Sequence, residues 1–217
     1  HRNHYIICLV RTEAPSENRH AGFSQIIVDL KNDGAKVRPI SNMAGGEDFN
    51  EVVFEDVLVP KDRIVGEPGN GWQQVTSELA YERSGPERFL SAFRVFVEMV
   101  RICGDKPSPH QAAAIGRLAS HFMTLRRMSI SVAGMLEQGK DVGVEAALVK
   151  ELGNNFEKVL PEVARLVVPD LSQLDPAKHK LFRDTFEETL LLSPSFTLRG
   201  GTREILRGVI ARGLGLR

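Results

Sequence analysis

The sequence predicts an α+β fold: a partial antiparallel β-barrel or sheet segment, then an up-down four-helix bundle with a short C-terminal helix. Three observations predict it. Short apolar runs bounded by turn residues fill the N-terminal part. From Gly71 onward the apolar residues recur at helical spacing. The helical stretches are long and their links short, which makes sequential helices antiparallel neighbours. The pattern divides the chain into a β segment over 1–66 and a helical domain over 67–217.

Residues 5–11 are apolar and β-rich. Residues 14–22 hold Pro, Ser, Glu, Asn and Gly, a loop composition. Residues 23–30 read as a second strand, and Asn32-Asp33-Gly34 as a turn. Residues 36–40 and 49–58 complete the set, with Phe49, Val52, Phe54 and Val57 as core candidates before Val59-Pro60 stops the last strand. Residues 72–103 read as one helix, with Val75, Leu79, Phe89, Phe93, Phe96, Val97 and Val100 on its apolar face. Pro86 follows Glu82 by one turn. It has no N–H for the Glu82 carbonyl, so a kink is expected there. Ser108-Pro109 is a cap followed by a helix-starting proline, opening a helix to about residue 136. Residues 144–168 form the third, with Leu148, Leu152, Phe156, Leu160 and Val163 inward. Asp175-Pro176 repeats the cap signal and opens a fourth, to about residue 192; residues 202–214 make a short fifth.

Of 217 residues, 42% are hydrophobic and 26% charged, which excludes disorder. Lys plus Arg number 28 and Asp plus Glu number 28, so no net field draws the protein to nucleic acid. Cys8 and Cys103 make no disulfide framework and stand in no metal-ligand spacing, so no metal is expected and a reducing, cytoplasmic setting is (the mitochondrial matrix in a eukaryote). No apolar run reaches the ~18 residues of a membrane span. No Gly-rich phosphate loop follows a strand, no His pair sits at i, i+4 with a ligating partner, and no G-x-S-x-G is present. The chain opens on His1 rather than Met and enters a strand almost at once, which predicts that part of the protein lies upstream.

Three stretches carry a resemblance. Residues 49–60, Phe-Asn-Glu-Val-Val-Phe-Glu-Asp-Val-Leu-Val-Pro, resemble an F-N-E-V-x-F-x-D-V-x-V-P strand. Residues 66–72, Gly-Glu-Pro-Gly-Asn-Gly-Trp, are similar to a G-x-x-x-x-G-W helix start. Gly200-Gly201-Thr202-Arg203-Glu204-Ile205-Leu206-Arg207, with Ile210-Ala211-Arg212 and Leu214-Gly215-Leu216 behind, resembles G-G-T-x-E-I-x-R…I-A-x-x-x-L-G-L. Their order is that of the acyl-CoA dehydrogenase flavoenzymes. The resemblance implies the end of that family's middle β domain followed by its C-terminal helical domain.

The resemblance also implies a reaction. A carboxylate removes the α-proton of an acyl-CoA thioester while the β-hydride goes to FAD, giving a 2-enoyl-CoA. Most relatives carry the base just before the G-T of the last motif, where this chain has Gly200. A branch resembling the isovaleryl and long-chain enzymes supplies it from the first C-terminal helix, at the Glu of an E-R pair, which matches Glu82-Arg83. Glu82 is therefore expected to be the base, Arg83 its support and the Gly200 N–H the donor to the thioester carbonyl. A surface pair of Arg83 with Glu87 is the bland alternative. Gly201, Thr202 and Glu204 match positions near the flavin pyrophosphate and adenosine, where helix amides suit a phosphate. A plain capped helix start explains the same residues.

Two family features are missing. The R-x-x-F-G stretch is replaced at 101–111 and the Q-x-x-G-G-x-G stretch at 166–179. Trp72 and the Phe-rich face read as core rather than cofactor box, and His110 and His121 have no reactive neighbours in sequence. The expected partners are an acyl-CoA, an electron-transferring flavoprotein and further copies of the chain (a dimer or tetramer). The alternatives are an oxidase-like or hydroxylase-like flavoprotein of the same fold and a non-catalytic helical assembly subunit.

Overall fold

The computed structural model describes residues 1–177 and 179–216, with the backbone alone at Leu171. The chain forms two compact units, His1–Glu78 and Leu79–Arg217.

The first unit holds five strands: β1 (Tyr5–Arg11), β2 (Phe23–Asp29), β3 (Ala35–Ile40), β4 (Phe49–Phe54) and β5 (Ile64–Val65). β2 is the centre of a three-stranded sheet, paired antiparallel with β1 (Cys8 opposite Ile26) and with β5. Being central, β2 buries Ser24, Gln25 and Val28. β3 and β4 form a separate antiparallel pair, with Val37 opposite Val52. The expectation that Phe49 and Phe54 are core is corrected: both are exposed, and Val52 and Val57 are half-buried. A two-stranded ribbon is too thin to bury both of its faces. Trp72 is not core either. It lies 39% exposed and stacks on the His20 ring, centroid to centroid 4.3 Å.

Among the described residues six helices follow: α1 (Gly71–Ser84), α2 (Phe93–Cys103), α3 (Pro109–Glu137), α4 (Gly143–Val167), α5 (Lys180–Leu192) and α6 (Arg203–Gly213). The single helix expected over 72–103 is two. Gly85 precedes a proline and is extended at φ −63°, ψ 155°, because a residue before proline is pushed out of the α region. A 3-10 turn, Pro86–Arg88, then re-aims the chain into α2. The start of α5 is also corrected, from Pro176 to Lys180. The Asp175 carboxylate accepts the Ala177 N–H at 2.9 Å, closing a local turn ahead of the helix.

α4 is the hub of the second unit, packed on α2, α3, α5 and α6. Its inward stripe runs Ala146, Val149, Gly153, Phe156, Leu160 and Ala164. Leu152, expected inward, is exposed with Val159 and Leu166, because the three share the opposite stripe at seven-residue spacing. Phe89, Phe93, Phe122 and Phe156 interlock in the main core. His110, His121 and Glu204 lie on the surface. Cys8 and Cys103 are free thiols, each pushed up from its usual pKa by partial burial. No helix among the described residues is long and apolar enough to cross a membrane.

The capping box at α3 forms as expected. Ser108 Oγ accepts the Gln111 N–H, Gln111 Oε1 accepts the Ser108 N–H, and Gln111 Nε2 reaches the Val167 carbonyl of α4. Ser108→Ala should therefore cost about 1 kcal/mol of stability, read from urea midpoints at unchanged slope.

Candidate functional site

The end of α1 builds the site. Pro86 cannot donate to the Glu82 carbonyl, so that oxygen is free of the usual helical partner. Arg88, buried in the next turn, takes it up: its Nε donates to Glu82 O at 2.7 Å, and one terminal nitrogen donates to Glu82 Oε1 at 2.8 Å. One guanidinium thus finishes the helix and fixes its last carboxylate. The Glu82 side chain remains 42% exposed, so a ligand can reach it from solvent.

Gly200 faces that carboxylate. It has φ +69°, a conformation that glycine adopts without penalty. A methyl group there would lie 3.3 Å from Glu82 Oε1 and 3.6 Å from Lys150 Cε. The space therefore holds the Glu82 carboxylate but not a second one projecting from position 200. Arg83 Nε donates to the Gly200 carbonyl at 2.9 Å, across 117 residues of chain. The surface pair with Glu87 does not form from Arg83; Glu87 pairs with Arg88 at 3.6 Å. Burial lowers the Arg83 pKa from its usual range, with Glu82 pulling the other way.

Gly201 follows with φ +111°, where a methyl would meet the Arg83 guanidinium at 3.5 Å. Thr202 is the cap residue of α6, yet its hydroxyl makes no capping bond. The Glu204 carboxylate accepts its own N–H and, second, a bond from the Thr202 hydroxyl, and these bonds hold that carboxyl below the usual range. α6 is tied to α4 through Glu151, which accepts from Arg203 at 2.9 Å and from Arg207 at 3.0 Å. The structure thus brings Glu82, Arg83 and Gly200 together and places Gly201, Thr202 and Glu204 in the next turn.

Sequence reasoning missed what lies beneath. Lys150, Asn154 and Glu157 are fully buried on the inward stripe of α4. Lys150 Nζ donates to Asn154 Oδ1 and to the Phe196 carbonyl. Glu157 accepts the Ser91 N–H at 3.0 Å and an Arg199 nitrogen at 3.2 Å. In this cluster the named charges are four cationic side chains (Arg83, Arg88, Lys150 and Arg199) against three carboxylates, Glu82, Glu87 and Glu157. Such a surplus favours any negative charge that develops on a bound molecule. The available signal was three polar residues at helical spacing within an otherwise apolar stripe.

Burial pushes the Glu157 carboxyl up, opposed by Ser91, Arg199 and Lys150. A raised carboxyl binds its proton more tightly in the folded state. It adds stability below the ordinary value of 4.5, and that stability fades as pH rises through the folded value. Glu157→Gln should therefore lose the part of the fall in Tm above pH 4.5 that wild type shows.

Among the described residues no three His, Cys, Asp or Glu side chains gather to hold a metal. A groove of about 500 Å³ between α3 and α4, lined by Met123, Met128, Met135 and Leu148, contains none of the six predicted residues.

No family model matches the chain. It is 31% identical over its whole length to the acyl-CoA dehydrogenase IpdE1 of Mycobacterium tuberculosis, covering 56% of that protein. It is 29% identical to IpdE1 of Mycolicibacterium smegmatis, covering 54%. The chain thus spans about half the length of these curated relatives. Among solved structures, the Tcur3481-Tcur3483 steroid ACAD superposes on the whole chain with a TM-score of 0.83 at 23% identity, and the chain covers 57% of it. The ChsE4-ChsE5 complex from Mycobacterium tuberculosis matches 99% of the chain with a TM-score of 0.80 at 24% identity, over 57% of the matched chain.

Proposed function

We propose, from the premise that this chain's relatives in sequence and in fold are acyl-CoA dehydrogenases, that it carries the proton-abstracting carboxylate of such an enzyme, and that this carboxylate is Glu82. The observation that carries the reading is the 3.3 Å between Glu82 Oε1 and the empty Cβ position of Gly200. A glycine where the resemblance implies that most family members carry the base leaves room for a base from elsewhere, and Glu82 borders that room.

The α-proton of a thioester is too weakly acidic for a carboxylate in water, so the site must stabilise the enolate as it forms. In this reading the Gly200 N–H donates to the thioester oxygen. Arg83 steadies that peptide by holding the Gly200 carbonyl, and Arg88 aims Glu82. Glu82 takes the α-proton onto a carboxylate oxygen, and the surplus of cations favours the developing oxyanion. The product is a 2-enoyl-CoA.

FAD fits the turn beside the site. Gly201 leaves backbone room, and the first amides of α6 suit a phosphate. The Glu204 carboxylate suits a hydroxyl or amine donor rather than a phosphate. Gly201, Thr202 and Glu204 would hold this end of the cofactor. When bound, FAD supplies the acceptor for the β-hydride.

An electron-transferring flavoprotein is the proposed electron acceptor, and the assembly a homo-oligomer. The exposed apolar stripe of Leu152, Val159 and Leu166 supports association. The two-component makeup of the ChsE4-ChsE5 complex favours a second reading, in which the partner is a different chain. Native mass spectrometry separates the two. The functional test is flavin reduction by a panel of acyl-CoAs in the complete protein, wild type against Glu82→Gln. Failure to bind flavin at all would favour the non-catalytic subunit, and reoxidation by oxygen the oxidase-like alternative.

A further inference from the structure

Beyond its share of the site's positive charge, one buried ammonium is bonded to the turn that leads into Gly200. Lys150 lies in the middle of α4 with its side chain fully shielded. Its Nζ donates to Asn154 Oδ1, one helical turn on, and at 2.8 Å to the carbonyl of Phe196. Phe196 belongs to the 3-10 turn Ser195–Thr197 that leads into Gly200. Lys150 Cε also lies 3.6 Å from the point a Gly200 methyl would occupy, a point 3.3 Å from Glu82 Oε1. The lysine therefore meets this turn twice, once by a charged hydrogen bond and once by packing. A buried cation is costly, and an aliphatic side chain would fill the same volume without that cost. The Phe196 carbonyl needs a donor that no aliphatic residue supplies.

Resting on the reading in which Gly200 and Glu82 act together, we infer that Lys150 is a positioning residue: it fastens the turn at 196–200 to α4 and so sets the gap between Gly200 and the Glu82 carboxylate. Four charged groups face the ammonium: Glu82 from α1, Arg88 from the turn after it, Glu157 from α4, and Arg199 from the segment before Gly200. Burial brings Lys150 down to about 8, helped by Arg88 and Arg199 and opposed by Glu157 and Glu82. Above that pH its hydrogen bonds lose their charge and the fastening weakens.

The test uses the flavin-loaded complete protein as wild type, Lys150→Met, Asn154→Asp and Glu82→Gln. The first readout is amide exchange of a peptide spanning 196–206, which needs no turnover. Lys150→Met should exchange about tenfold faster at pH 7, and Glu82→Gln at the wild-type rate. The second readout is the pH profile of flavin reduction by an acyl-CoA. Wild type should lose rate with a midpoint near 8; Lys150→Met should be slow throughout and lack that limb. Asn154→Asp adds a carboxylate beside the ammonium and should move the limb up by about one unit, a shift that a merely structural lysine would not produce. Should Lys150→Met not fold, Asn154→Asp decides alone. Wild-type exchange in Lys150→Met, or a limb unmoved in Asn154→Asp, overturns the inference. Fast exchange in Lys150→Met with full flavin reduction in Glu82→Gln would leave the fastening standing and remove the base assignment instead.

Discussion

Glu82→Gln is expected to keep its fold and its flavin and to lower the rate of flavin reduction by acyl-CoA about 10³-fold or more. The amide fills the volume of the carboxylate, and its oxygen still accepts from Arg88, so the end of α1 keeps its shape. What it loses is the capacity to take a proton. Truncation to alanine would be less informative, because it takes from the buried Arg88 guanidinium the nearer of its two carboxylates. A companion variant moves the base. Glu82→Gly with Gly200→Glu empties one side of the gap and fills the other, so part of the rate should return. The φ of +69° at residue 200 costs a side chain about 1 kcal/mol or more, and Lys150 Cε stands close, so recovery should be partial. A double variant that folds, holds flavin and shows no rate above Glu82→Gln would count against a shared space.

Gly153→Ala should be the most damaging single methyl in the helical unit. The added carbon would lie 2.3 Å from the Arg88 carbonyl oxygen and 3.1 Å from its carbon, both backbone atoms that cannot rotate away. α4 and the 3-10 turn at Pro86–Arg88 must separate to admit it. Overpacking of this kind costs about 3 kcal/mol or more. The loss falls on function too, since the displaced turn carries the guanidinium that holds Glu82. Denaturant midpoints and flavin reduction should therefore fall together, whereas Ser108→Ala should lower the midpoint alone.

Much of the fold was legible because apolar periodicity survives in single elements. β1 falls on the expected residues, and α3 and α4 start and stop within about a residue of expectation. The misses have local causes. A proline that looked like a kink ended α1, because its preceding Gly85 left the α region as well. The Asp175-Pro176 signal closed a turn of its own and left the helix to begin at Lys180. The nearness of Glu82 to Gly200 was expected from resemblance and not from spacing, since no periodicity relates residues so far apart in the chain. Lys150, Asn154 and Glu157 were invisible for another reason. Pattern reading assigns polar side chains to solvent, whereas inside the core Lys150 donates to Asn154 and to the Phe196 carbonyl, and Glu157 accepts from Ser91 and Arg199.

The stack of Trp72 on His20 decides what a common experiment can report. Trp72 is the one tryptophan among these 217 residues, and both rings lie in the unit ending at Glu78. Intrinsic emission excited at the indole band therefore follows the strand-rich unit, while far-ultraviolet circular dichroism is dominated by the helices. Melting curves from the two probes coincide only when both units unfold as one, and a gap between them would measure their independence directly.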